Sequence, residues 1–110
     1  MAMRSATRLK KDRDPGYLKW LHEEPCFICY LFRLEQNGRT EAAHVGDRGL
    51  SQKCPDSQAL PCCAWHHRTG PESLHRLGGK FWQRWGLDKA ELITAYRKKY
   101  EEEKAAHATE

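Results

Sequence analysis

The sequence contains no run of about 18 apolar residues, so it offers no hydrophobic membrane-spanning helix. Its first residues, MAMRSATRLKKDRD, are basic but lack the apolar core of a secretory signal, and a cytoplasmic protein is expected. Core-forming residues are scarce as well. Of 110 residues, 39% are hydrophobic and 31% charged, with a mean hydropathy of -0.88. A single domain this small buries a modest share of its surface and commonly needs a covalent or metal clamp. Neither sign of charge dominates: 19 Lys and Arg stand against 15 Asp and Glu, for a net charge of +4. That balance leans toward polyanionic partners without establishing one. There is no internal repeat.

What is present in quantity is cysteine and histidine. The cysteines are Cys26, Cys29, Cys54, Cys62 and Cys63, and four of the six histidines lie between residues 44 and 75. An odd cysteine count, a Cys-x-x-Cys pair and the lack of a secretory signal argue for metal ligation in a reducing compartment rather than for a disulfide scaffold.

Residues 1–14 read as a disordered basic tail. Asp14-Pro15 opens a short helix over 16–23, stopped by Pro25, and Cys26 to Cys29 has the spacing of a zinc knuckle. Asn37-Gly38 signals a turn before a strand over 39–45. Residues 46–57 form a loop long enough to carry function, and 58–62 a second strand. Helical pattern begins at Trp65, breaks at Gly70-Pro71, resumes over 72–77 and breaks again at Gly78-Gly79. Asp88 with Glu91 three residues on predicts the start of a long final helix, with a stripe of Ala90, Ile93, Tyr96, Arg97 and Tyr100 reaching about Lys104. Phe81, Trp82 and Trp85 are predicted to cover the core rather than stack on bases. The expected architecture is α+β: one domain over 15–104, with a second disordered tail at 105–110.

Two sets of side chains carry the chemistry. Cys26-x-x-Cys29 and Cys63-x-x-His66 together supply the four sulfur and nitrogen donors that tetrahedral zinc prefers, and such a site would hold the fold. Cys62 is the alternative to Cys63; neighbouring strand residues point to opposite faces, so only one of them fits. His44 ends the first strand, His67 follows the second and His75 lies further along. A hairpin leading into a helix would bring these three toward one groove lined by Arg48, Lys53, Arg68 and Arg76. A neutral imidazole can take a proton from water, an ion held by the others can neutralise charge at phosphorus, and basic side chains hold a phosphate backbone.

The run AAHVGDRGLSQKCPDSQALPCCAWHH followed by SLHRLGGKFWQRWGLD resembles the HNH (ββα-metal, His-Me finger) nuclease superfamily. Within it, the chain is similar to small bacterial and phage proteins related to a phage recombination-enhancement nuclease, over roughly residues 14–88. The resemblance implies a zinc-stabilised ββα-metal domain with flanking helices that hydrolyses DNA. By position, His44 matches the general base, and Asp56 matches a polar residue that fixes the loop or orients that base. Cys63 and His66 match the second zinc half-site, while His67 matches a ligand of the catalytic ion and His75 a histidine that joins it. The implied cofactors are a structural zinc and a catalytic divalent cation, magnesium or manganese, with zinc or nickel as alternatives. DNA is the implied partner, along with a protein partner that supplies targeting. The chain departs from the pattern at Ala43, where many members place a metal-binding Asp or His, and in a longer stretch between His67 and His75. The competing readings are a non-catalytic zinc module that binds nucleic acid or protein, and a domain held by two structural zincs.

Overall fold

A computed structural model describes residues 12–46 and 54–108. Most of the basic tail, residues 1–11, therefore lies outside the described residues, as do Arg48 and Lys53 of the loop. Helix α1 (Pro15–His22) begins where the sequence predicts. The Asp14 carboxylate accepts the Tyr17 N–H at 3.2 Å, and Pro15 sits where a missing N–H costs no hydrogen bond. Its inner face buries Tyr17 and Leu21, and the Tyr17 hydroxyl donates to the Ala59 carbonyl at 2.9 Å.

The cysteine knuckle is more regular than a turn. Cys26 is the N-cap of helix α2 (Phe27–Phe32), so Cys29 projects from the first helical turn. The helix ends on Arg33 at φ 55°, a left-handed conformation usually given to glycine. Gln36 then ties the start of α2 to the sheet: its Oε1 accepts the Cys26 N–H and its Nε2 donates to Thr40 Oγ1, both at 2.9 Å.

Strands β1 (Thr40–His44) and β2 (Ala59–Cys63) pair antiparallel, with Thr40 opposite Cys63 and His44 opposite Ala59. The second strand starts one residue later than its composition suggests, because Asp56–Gln58 closes a 3-10 turn first. All five residues of β2 are buried, and Pro61 is tolerated because a two-stranded sheet leaves one side of the strand without a ladder partner.

Trp65–Thr69 forms a wide π-type turn closed by the Gly70 N–H on the Trp65 carbonyl at 2.8 Å. A Cβ at Gly70 would come within 2.8 Å of the Trp65 ring and carbonyl, so the position requires glycine. Helices α3 (Leu74–Leu77), α4 (Lys80–Trp85) and α5 (Lys89–Ala108) follow. Asp88 caps α5 through the Glu91 N–H at 3.1 Å. The helix continues past Lys104, so residues 105–108 extend it where a disordered tail is expected from the sequence.

Phe27, Ile28, Leu60, Cys62 and Phe81 form the main core, with Trp82, Trp85, Ile93 and Tyr96 packed on it. Each fully buried Phe or Leu contributes about 1.5–3 kcal/mol, and the aromatics of α4 have the structural role predicted for them. Tyr17, Leu21 and Ala59 make a second cluster against Trp20 and Tyr100. The charged side of α5 is less solvated than its composition suggests. Arg97 reaches Asp14 at 2.9 Å, Lys99 reaches Glu24 at 2.8 Å, and Trp20 Nε1 donates to Glu103 at 2.8 Å. These contacts dock α5 on the N-terminal helix. No helix among the described residues is long and apolar enough to cross a membrane.

Candidate metal centre and histidine face

Three elements converge on one buried point. Cys26 comes from the cap of α2, Cys29 from its first turn, Cys63 from the end of β2 and His66 from the π-type turn. Their donor atoms all lie within 4.8 Å of one another. The Cys29 and Cys63 sulfurs are 4.0 Å apart, and His66 Nδ1 lies 3.4, 3.5 and 3.8 Å from Cys63, Cys29 and Cys26. A tetrahedral zinc with ordinary bond lengths gives edges of about 3.8 Å between sulfurs and about 3.5 Å between sulfur and nitrogen. The cage therefore has the size and donor chemistry of a structural zinc site, and all five cysteines are free thiols. This cluster can hold a structural metal such as zinc. Among the described residues no second group of three or more such donors gathers, so the two-zinc reading gains no support.

Cys62 and Cys63 divide the work as strand pleating requires. Cys63 faces the cage, whereas the Cys62 thiol hydrogen-bonds to the Cys26 sulfur. That bond is the main cause bringing the Cys26 thiol down to about 4; burial opposes it, and the backbone N–H groups of Cys63, Cys29 and Ile28 assist. Burial pushes the Cys29 and Cys63 thiols up, and donation to Cys26 does the same to Cys62. Trp85 stands edge-on to His66 at 5.4 Å. Cys54 is buried elsewhere, its thiol 3.5 Å from the Pro55 carbonyl.

A few residues away the histidines are held differently. His44 Nε2 lies 2.9 Å from Asp56 Oδ1, and the other oxygen of this buried carboxylate accepts the Asp14 N–H at 2.8 Å. Asp56 is thus placed to orient His44, as the resemblance implies, and the imidazole keeps a third of its surface in solvent.

His67 projects from the π-type turn beside inward-facing His66. Its Nδ1 is 2.8 Å from Glu41 Oε1, and the Arg68 guanidinium grips both oxygens of that carboxylate at 2.7 and 3.0 Å. Arg68 hydrogen bonds chiefly hold the Glu41 carboxyl down at about 2, with His67 adding to them against burial. Burial lowers the His67 pKa in spite of Glu41, which favours a neutral ring. His75 packs edge-on to His67 with centroids 4.7 Å apart. The longer stretch between them folds back through the π-type turn and Gly70, so it does not separate the two rings.

These contacts join His67 to His75 but not to His44. Glu41 and His44 are three residues apart on β1, which sends them to opposite faces and separates them by roughly 10 Å along the strand. No hydrogen bond or ring contact links His44 with His67 among the described residues. Arg76 is exposed beside His75, whereas Arg68, predicted to hold a phosphate backbone, is engaged by Glu41.

Sequence reasoning passed over Glu41 and gave Cys62 no role beyond that of a rival ligand. An acidic residue inside a strand, three positions before a histidine, was the available signal for Glu41. Comparison with protein-family models, with curated proteins and with solved structures finds no match. The resemblance to HNH nucleases therefore rests on the motif residues alone.

Proposed function

We propose that the chain is a metal-dependent HNH endonuclease that hydrolyses DNA phosphodiesters, with His44 as general base. The observation that carries this reading is the His44–Asp56 pair. The Asp56 carboxylate accepts the Nε2 proton at 2.9 Å and is itself fixed by the Asp14 N–H. Nδ1 is then the basic atom, on a ring open to solvent, and can take a proton from water. The resulting hydroxide attacks phosphorus, the bond to the 3′ oxygen breaks, and the products carry 5′ phosphate and 3′ hydroxyl ends. His67 and His75 are the residues to hold the divalent ion, and two imidazoles favour manganese, nickel or zinc over magnesium. A bound ion would supply charge neutralisation at the phosphate and the leaving oxygen. The nuclease reading requires a phosphate that reaches both this ion and His44, although His44 and Glu41, the partner of His67, stand on opposite faces of β1. Arg76 remains available for a phosphate, with Arg48 and Lys53 assigned to the same task from the sequence alone.

The alternative, a non-catalytic zinc module that binds nucleic acid or a partner protein, is favoured by two observations. Ala43 is buried where many HNH proteins place a metal ligand, and the Glu41 carboxylate is engaged by Arg68. Supercoiled plasmid incubated with zinc-loaded protein and added manganese or magnesium separates the readings, provided binding and cleavage are measured together. The nuclease reading expects nicked circles that depend on the added ion and disappear in His44→Ala. Binding with no ion-dependent nicking would leave the module.

A further inference from the structure

The side chain best placed to act through another, and outside the motif residues, is Glu41. It is the second residue of β1, less than a third exposed, with one oxygen 2.8 Å from His67 Nδ1 and both oxygens held by Arg68. A carboxylate can only accept, so this contact requires the proton on Nδ1 and leaves Nε2 as the lone pair of the neutral ring. Histidine ligands of metals are regularly oriented in this way, by a carboxylate on the nitrogen that does not bind the ion. Arg68 has a separable part. Its two-point grip keeps the Glu41 carboxylate in one orientation, and its bonds go to the carboxylate oxygens rather than to the imidazole.

We propose that Glu41 is a positioning residue for His67, fixing its Nδ1–H tautomer so that Nε2 faces the ion shared with His75. The relevance to an ion rests on the nuclease reading above; the tautomer itself does not. The test uses zinc-loaded, 15N-labelled full-length protein at pH 8, with long-range proton–nitrogen spectra of the His67 ring and calorimetric titration of manganese. Wild-type protein should show the Nδ1–H form. Glu41→Ala should shift His67 toward Nε2–H and weaken manganese binding by about 10–100-fold. Glu41→Gln, whose amide oxygen still accepts, should retain the Nδ1–H form, and Arg68→Ala should retain it although the ion pair is gone. A role confined to the ion pair would make Arg68→Ala resemble Glu41→Ala. Retention of the Nδ1–H form in Glu41→Ala, or an Nε2–H ring in the wild type, would overturn the assignment. Wild-type protein that binds no manganese beyond its zinc and nicks no plasmid would remove the nuclease reading, while the spectra still decide the role of Glu41.

Discussion

The cysteine cage and the histidine face lie within a few residues of each other in sequence, yet they are built on opposite principles. In the cage all four donors are buried and face one another, and Trp85 packs edge-on to the His66 ring. Across the hairpin each histidine is held at one nitrogen by a carboxylate, Asp56 for His44 and Glu41 for His67, and the rings keep 33% and 16% of their surface. Donors that face only each other can do little but bind an ion and hold the fold. Rings held at one nitrogen by a carboxylate can accept a proton or bind an ion at the other. His66 and His67 show the division most sharply: adjacent on one turn, one faces three sulfurs and the other a carboxylate.

The sharpest break in that comparison comes from removing the cage. A structural zinc contributes about 10–16 kcal/mol of apparent binding energy, as much as the whole stability of an ordinary domain. Stripping the metal with a strong chelator, or replacing Cys63 with Ser, should abolish cooperative unfolding and the near-ultraviolet circular dichroism of Trp82 and Trp85. A chelated protein that still melts cooperatively would show that packing alone holds the fold. Next in size, under the proposed nuclease reading, is His44→Ala, which should lower ion-dependent nicking by about 10²–10⁴-fold. The same variant should retain one zinc per chain in metal analysis, which separates the open face from the closed one.

A smaller effect is expected from Tyr17→Phe. It leaves the buried Ala59 carbonyl, directly across the sheet from His44, without its hydroxyl donor. The cost should be about 1–3 kcal/mol in denaturant melts, with zinc content unchanged. The buried tyrosines also set an alkaline limit. Burial raises the Tyr96 phenol from 10.0 to about 12, and Tyr17 moves the same way. A phenol raised in the folded state contributes stability that is complete below pH 10 and is lost as pH climbs through 12. Absorbance at 295 nm should therefore register these two tyrosines late and together with unfolding. The smallest expected change is a gain. Arg33→Gly at φ 55° should stabilise the end of α2 by up to about 1 kcal/mol, visible as a small rise in melting temperature.

How much of this was legible in the sequence depends on the range of the interaction. The zinc donors were legible because each half-site is a local spacing, and the start of α5 because Asp88 and Glu91 are neighbours on one turn. Asp56 was named from the resemblance, and its bond to His44 spans twelve residues that no local spacing announces. Glu41 was not legible, since its partners His67 and Arg68 lie 26 and 27 residues away and meet it only once the hairpin has closed. The pairing of Arg68 was hidden for the same reason: a lone basic side chain in the sequence is a paired one in the fold. The docking of α5 likewise depends on Arg97, Lys99 and Glu103 finding partners in and at the two ends of the first helix, which charge pattern alone does not reveal.

The hydrogen bond from Asp14 to Asp56 has a practical consequence. The turn at Asp14 acts as a brace behind the imidazole that ends β1, so whatever is attached or trimmed just upstream is mechanically connected to that ring. Deletions that run through residue 14 should loosen His44 while leaving the cysteine cage intact, and a fusion partner belongs instead at the far end of α5.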